Sequence, residues 1–151
     1  MIVNTTHFGP LAVQQSSQIE FPEGLPGFEQ CRLFVPVQHP NSPGLIFLQS
    51  LEQPQLCFIT VPMATLWPDY DLALSAEERE LLGLDSSEGP SAGGSLAVLA
   101  IVSFLEGREP TANLAAPLVI RVATRRAVQA IRQDGRYQVQ EKLPDKEPVC
   151  S

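Results

Sequence analysis

Fourteen prolines and ten glycines interrupt this 151-residue chain at short intervals. Proline lacks a backbone donor and glycine weakens helix interiors, so the spacing leaves little room for long helices and favours short strands joined by turns. The stretches between these breakers are rich in β-branched and aromatic residues: Gln18 to Phe21, Arg32 to Val37, Leu45 to Leu51, Leu56 to Val61, Leu96 to Phe104 and Pro117 to Ala123. Ile2 to Asn4 and Leu11 to Val13 flank His7-Phe8-Gly9-Pro10, a Gly-Pro turn signal, and predict an amino-terminal hairpin. At least eight candidate strands result.

Several runs, such as LIFLQSL and LAVLAIVSFL, are apolar at consecutive positions, which predicts cover on both faces. A closed or nearly closed barrel meets that demand. The expected fold is therefore all-β, mainly antiparallel, a small β-barrel-like single domain over residues 1–143. One short helix is predicted near 75–82, because Ser75 and Glu78 form a capping-box pair and Glu77, Glu78 and Glu80 suit the positive end of a helix dipole. Leu81, Leu82 and Leu84 would fold back onto the barrel. Arg125 to Arg132 fits a helical turn and a strand equally well. Asp85 to Gly94 reads as a mobile loop, and residues 144–151 as a disordered tail.

Seventeen acidic against ten basic residues give a net charge of −7, which repels phosphate backbones, attracts cationic partners and predicts no direct nucleic-acid binding. Cys31, Cys57 and Cys150 are widely spaced, matching neither a zinc site nor a disulfide framework, and predict a reducing compartment. No basic-then-apolar leader opens the chain and no apolar run approaches the length of a membrane span, so the expected location is the cytoplasm. Dinucleotide, nucleotide, serine-hydrolase and zincin motifs are absent. His7 and His39 sit beside turn residues, away from metal-ligand spacing. The acidic pairs Asp69 with Asp71 and Glu77 with Glu78 have a loop and a helix cap to explain them. The chain is expected to be no enzyme and to need no metal or cofactor.

Two stretches are candidate contact sites. In FPEGLPGFE, Pro22 and Pro26 fix φ while Gly24 and Gly27 can turn left-handed, giving a stiff loop that holds Leu25 and Phe28 at set positions. Such a loop either anchors onto the core or presents its apolar residues to a partner. In Leu66-Trp67-Pro68-Asp69-Tyr70, two aromatic residues combining apolar area with a polar handle flank Pro68 and Asp69. A third stretch, TANLAAPLVI at Thr111 to Ile120, places Asn113, a residue suited to local backbone bonding, before a strand.

Together with LQS at Leu48 to Ser50 and PDYD at Pro68 to Asp71, these stretches resemble the FliW family of flagellar assembly factors, in order and spacing, over roughly residues 1–140. Arg121, the basic Thr124-Arg125-Arg126 and a lengthened 85–94 loop depart from the family pattern. The resemblance implies a small barrel-like monomer that binds two proteins, the RNA-binding translational regulator CsrA and flagellin. It implies a partner switch: the protein holds CsrA off the flagellin message until accumulating flagellin captures it, and CsrA, inhibited at a site outside its RNA surface, is released to repress translation. It points to Phe21, Pro22, Leu25, Pro26, Phe28, Glu29, Pro68, Asp69, Tyr70 and Asn113 as the partner-binding residues. A dedicated cytoplasmic flagellin chaperone without a role in RNA control fits the same features. A small-molecule-binding barrel would need convergent polar groups in a deep pocket.

Overall fold

The computed structural model describes residues 1–84 and 96–144. Ten strands occur among them: β1 (Ile2–Thr5), β2 (Gly9–Ala12), β3 (Ile19–Glu20), β4 (Leu33–Val37), β5 (Ile46–Ser50), β6 (Cys57–Pro62), β7 (Leu96–Ser103), β8 (Thr111–Arg121), β9 (Arg126–Gln129) and β10 (Glu141–Lys142). The main sheet runs β10-β8-β7-β6-β5-β4-β3-β9, and β8 also pairs with β9, so seven of these strands close into a barrel with β10 appended to β8. All pairings are antiparallel except β3 with β9, a single parallel bridge between Glu20 and Arg126.

The apolar runs split their side chains between two environments. Ile19, Phe34, Leu48, Phe58, Leu99, Leu118, Ile120 and Ala127 come from all seven barrel strands and pack together as the interior. On β8 the alternate Val119 turns outward against Leu82 and Leu84. Ala100 and Val102 on β7, with Ala112 and Leu114 on β8, form a second outer cluster around Met63, Trp67, Tyr70 and Tyr137. Both faces of β7 and β8 are thus covered, which is why those sequences lack polar alternation.

Helix α1 (Met63–Leu66) is a single turn that the sequence does not announce. Helix α2 (Ala76–Leu82) lies where predicted: the Ser75 hydroxyl accepts from Glu78 N–H at 3.1 Å and Glu78 Oε1 accepts from Ser75 N–H at 2.8 Å. Reciprocal caps of this kind stabilise a helix by about 1 kcal/mol. Gly83 ends it in the left-handed conformation, φ 75°. The Arg121 guanidinium then donates to Leu82 O and Gly83 O, tying the helix end to the barrel.

The ambiguous 125–132 segment resolves as strand β9, entered through Arg125 at φ 61°. Arg125 clips the barrel seam, its side chain donating to Gln18 O and its carbonyl accepting from Glu20 N–H. The amino-terminal hairpin forms, but Gly9 and Pro10 lie inside β2 and the turn falls at 6–8, where Phe8 N–H donates to Thr5 Oγ1. β8 starts at Thr111, six residues before the predicted Pro117. The expected mobile loop at 85–94 and all but the first residue of the 144–151 tail lie outside the described residues.

Candidate partner-binding site

The FPEGLPGFE loop consists of two consecutive tight turns. Gly24 N–H donates to Phe21 O across Pro22 and Glu23, and Phe28 N–H donates to Leu25 O across Pro26 and Gly27. Proline at the second position and Gly27 at φ 85° at the third suit a type II turn. Gly24, at φ 70°, is fixed by space as well, since a Cβ there would lie 2.5 Å from Glu29 O.

The loop divides its candidates by depth. Phe21 and Leu25 are buried in the barrel interior, and Phe21 meets Phe34 edge-on at 5.5 Å. Pro22 is half-buried, whereas Pro26, Phe28 and Glu29 are exposed. Phe28 keeps 38% of its surface exposed while standing edge-on to Phe58 at 5.6 Å. The loop is therefore anchored by Phe21 and Leu25 and presents Pro26, Phe28 and Glu29.

Pro68, Asp69 and Tyr70 lie in the loop between α1 and α2. Pro68 and Asp69 are exposed, while half-buried Tyr70 donates its hydroxyl to Leu114 O at 2.7 Å. Its ring stacks on Tyr137 at 4.4 Å, and the Tyr137 hydroxyl accepts from Asp71 N–H. The Arg132 guanidinium lies over both rings and forms a two-pronged pair with Asp134 through Nε and Nη2, its side chain only 3% exposed. Burial pushes the Tyr70 phenol above its ordinary range, and the hydrogen bonds from Arg132 pull the exposed Asp134 carboxyl down to about 2. Arg136 pairs with Asp71 at the surface. These partners of Tyr70 are absent from the sequence-derived set, because Arg132 and Tyr137 are more than sixty positions away and only folding makes them neighbours.

Asn113 performs local work. The β7–β8 register slips between the Leu99–Leu118 and Ile101–Asn113 pairs, leaving residues 114–117 out of the ladder. Asn113 Oδ1 accepts from both Ala115 N–H and Ala116 N–H at 3.0 Å, satisfying donors that the bulge strands. The bend lets the lower half of β8 pair with β9 and its upper end pair with β10. The LQS motif is structural too. Gln49 is fully buried and its Nε2 donates to Ser50, Pro54 and Leu56 carbonyls, while Ser50 Oγ accepts from Glu52 and Gln53 N–H. Together they shape the β5–β6 connection on which Thr6 N–H rests.

The two candidate stretches line separate clefts. One, about 600 Å³, runs between the FPEGLPGFE loop and α2; the other, about 410 Å³, lies at Leu66 to Tyr70. The 131–137 segment joins them, giving Ile131 and Gln133 to the first and Arg136 and Tyr137 to the second. Among the described residues no three His, Cys, Asp or Glu side chains are grouped to hold a metal ion, and no helix is long and apolar enough to cross a membrane. Burial raises the Cys57 thiol to about 11, away from nucleophile chemistry at neutral pH.

Comparison with known proteins gives one answer throughout. The flagellar assembly factor FliW of Syntrophotalea carbinolica is 31% identical over 139 residues, spanning 92% of this chain and 95% of that protein. FliW of Carboxydothermus hydrogenoformans is 34% identical over 137 residues, spanning 91% and 85%. A crystal structure of the flagellar assembly factor FliW superposes with a TM-score of 0.80 at 27% identity, covering 97% of this chain and 100% of that one. The FliW protein family model matches residues 2–143, and on that span this chain belongs to the FliW family.

Proposed function

We propose that this protein is a cytoplasmic, monomeric flagellar assembly factor that acts by holding other proteins: it antagonises a CsrA-type RNA-binding translational regulator and also binds flagellin. Membership of the FliW family across residues 2–143 carries this reading. The net charge of −7 supports it, because an acidic surface steers a basic RNA-binding partner toward the protein and away from RNA. In this reading flagellin and the regulator compete for the protein, so free flagellin sets how much regulator is available to repress the flagellin message. Pro26, Phe28, Glu29, Pro68 and Asp69 make the contacts, and Phe21, Pro22, Leu25, Tyr70 and Asn113 hold those surfaces in place.

The test is co-purification with the two partners scored separately, followed by titration of flagellin into the preformed complex with the regulator. Displacement of the regulator is the expected result. Capture of flagellin alone would replace this reading by that of a dedicated flagellin chaperone, and capture of neither would overturn both.

A further inference from the structure

The barrel seam between β3 and β9 is held by one bridge and then opens. In the register set by Glu20 and Arg126, the next rung requires a donor at position 22 to meet Ala127 O, and Pro22 has no N–H. Along β9 and the residues that follow it, the even-numbered peptide groups face β8: Ala130 N–H donates to Pro117 O and Arg132 N–H to Ala115 O. The odd-numbered peptide groups must then point the other way, into the 600 Å³ groove between the FPEGLPGFE loop and α2. Glu78 Oε2 takes one of them, Ile131 N–H, at 3.0 Å. The Gln129 N–H and C=O beside it have no partner among the described residues.

Both walls of the groove are acidic. The loop contributes Glu23 and Glu29, the helix contributes Glu77 and Glu78, and among the described residues none that lines the groove is Lys, Arg or His. Glu29 and Glu78 are engaged with backbone N–H groups, whereas Glu23 and Glu77 are exposed and make no ion pair among the described residues. An exposed sheet edge is ordinarily blunted by charge or covered, because it templates pairing with another chain. Here it is recessed, so that pairing is restricted to a narrow extended segment.

We propose that this groove binds an extended, lysine- or arginine-bearing segment of another protein, which adds a short strand to the β9 edge at Gln129 and places its cationic side chains against Glu23 and Glu77. Main-chain hydrogen bonds supply the register, and the carboxylates select charge. The inference goes beyond family membership and does not depend on the identity of the regulator.

The probe is a blocked hexapeptide of alternating lysine and valine, compared with its glutamate–valine counterpart and with a lysine–valine peptide N-methylated at every second peptide nitrogen. The lysine peptide is expected to bind, to slow hydrogen exchange of the Gln129 amide by about tenfold or more at saturation, and to bind about tenfold or more tightly than either control. Combined Glu23→Gln and Glu77→Gln substitutions, at exposed positions clear of the core, should weaken it about three- to tenfold while the protein stays folded, with only a small drop in melting temperature from the helix-dipole charge lost at Glu77. Failure to bind at about 1 mM, equal binding of the N-methylated peptide, or unchanged exchange at Gln129 under saturation would each overturn the proposal.

Discussion

The Tyr70 and Tyr137 rings lie 4.4 Å apart, and the Arg132 guanidinium stands 4.8 Å from the centre of the Tyr137 ring. This stack joins the loop after β6 to the segment after β9, so the Pro68–Tyr70 surface depends on contacts from the far end of the chain. Tyr70→Phe keeps the stack but removes the donor to Leu114 O, and should cost about 1 kcal/mol. Arg132→Lys should cost more, about 2 kcal/mol, because an ammonium cannot both lie flat on the rings and pair two-pronged with Asp134. Urea unfolding midpoints check the order; a smaller loss for the lysine variant would contradict the stacking account.

The same cluster sets how stability changes at both ends of the pH scale. Asp134 is more acidic folded than unfolded, so its contribution is present above the unfolded carboxylate range and is lost as pH falls toward about 2. Tyr70 is less acidic folded than unfolded, so its contribution is full below the ordinary phenol range and is lost as pH rises beyond that range through the raised folded value. Asp134→Asn should flatten the acid limb and Tyr70→Phe the alkaline limb of a plot of unfolding free energy against pH. A variant plot parallel to that of the unsubstituted protein would remove the assigned group from the account.

Gly24 and Gly107 share left-handed φ values of 70° and 77°, but only Gly24 faces a close neighbour. Gly107→Ala should therefore cost about 1 kcal/mol from backbone conformation alone. Gly24→Ala adds collision with the Glu29 backbone and should cost at least about 1 kcal/mol more. Equal thermal shifts for the two variants would show that the loop yields freely.

Leu25 and Phe28 face each other across one tight turn yet should respond in opposite ways. Leu25→Ala empties a buried site and should lose about 2 to 5 kcal/mol of stability. Phe28→Ala should lose far less stability and instead speed dissociation of a bound regulator or flagellin, by about tenfold or more if it is a hot spot. Stopped-flow dissociation on folded protein reads this, and unchanged off-rates for both partners would make Phe28 structural.

The raised Cys57 thiol holds little thiolate near neutrality. In a Cys150→Ser background, alkylation by iodoacetamide at pH 8 should run about tenfold or more below that of an unhindered thiol and accelerate only toward pH 11. Rapid labelling at pH 8 would place Cys57 in a more open setting.

Local chemistry made part of this protein legible from sequence. Proline and glycine spacing, β-branched runs and the Ser75–Glu78 pair act within a few residues, so the all-β class, most strand positions and helix α2 followed from them. The stiffness of FPEGLPGFE was legible for the same reason, because each turn needs only its own four residues. What the loop does with its side chains was not: whether Leu25 enters the barrel and Phe28 stays outside depends on strands up to a hundred positions away. Tertiary structure alone decided the bulge that employs Asn113, the stack around Tyr70, and the open seam at Gln129. Each arises where segments distant in sequence set one another's register, and hydrophobic periodicity within a segment carries no information about its partner.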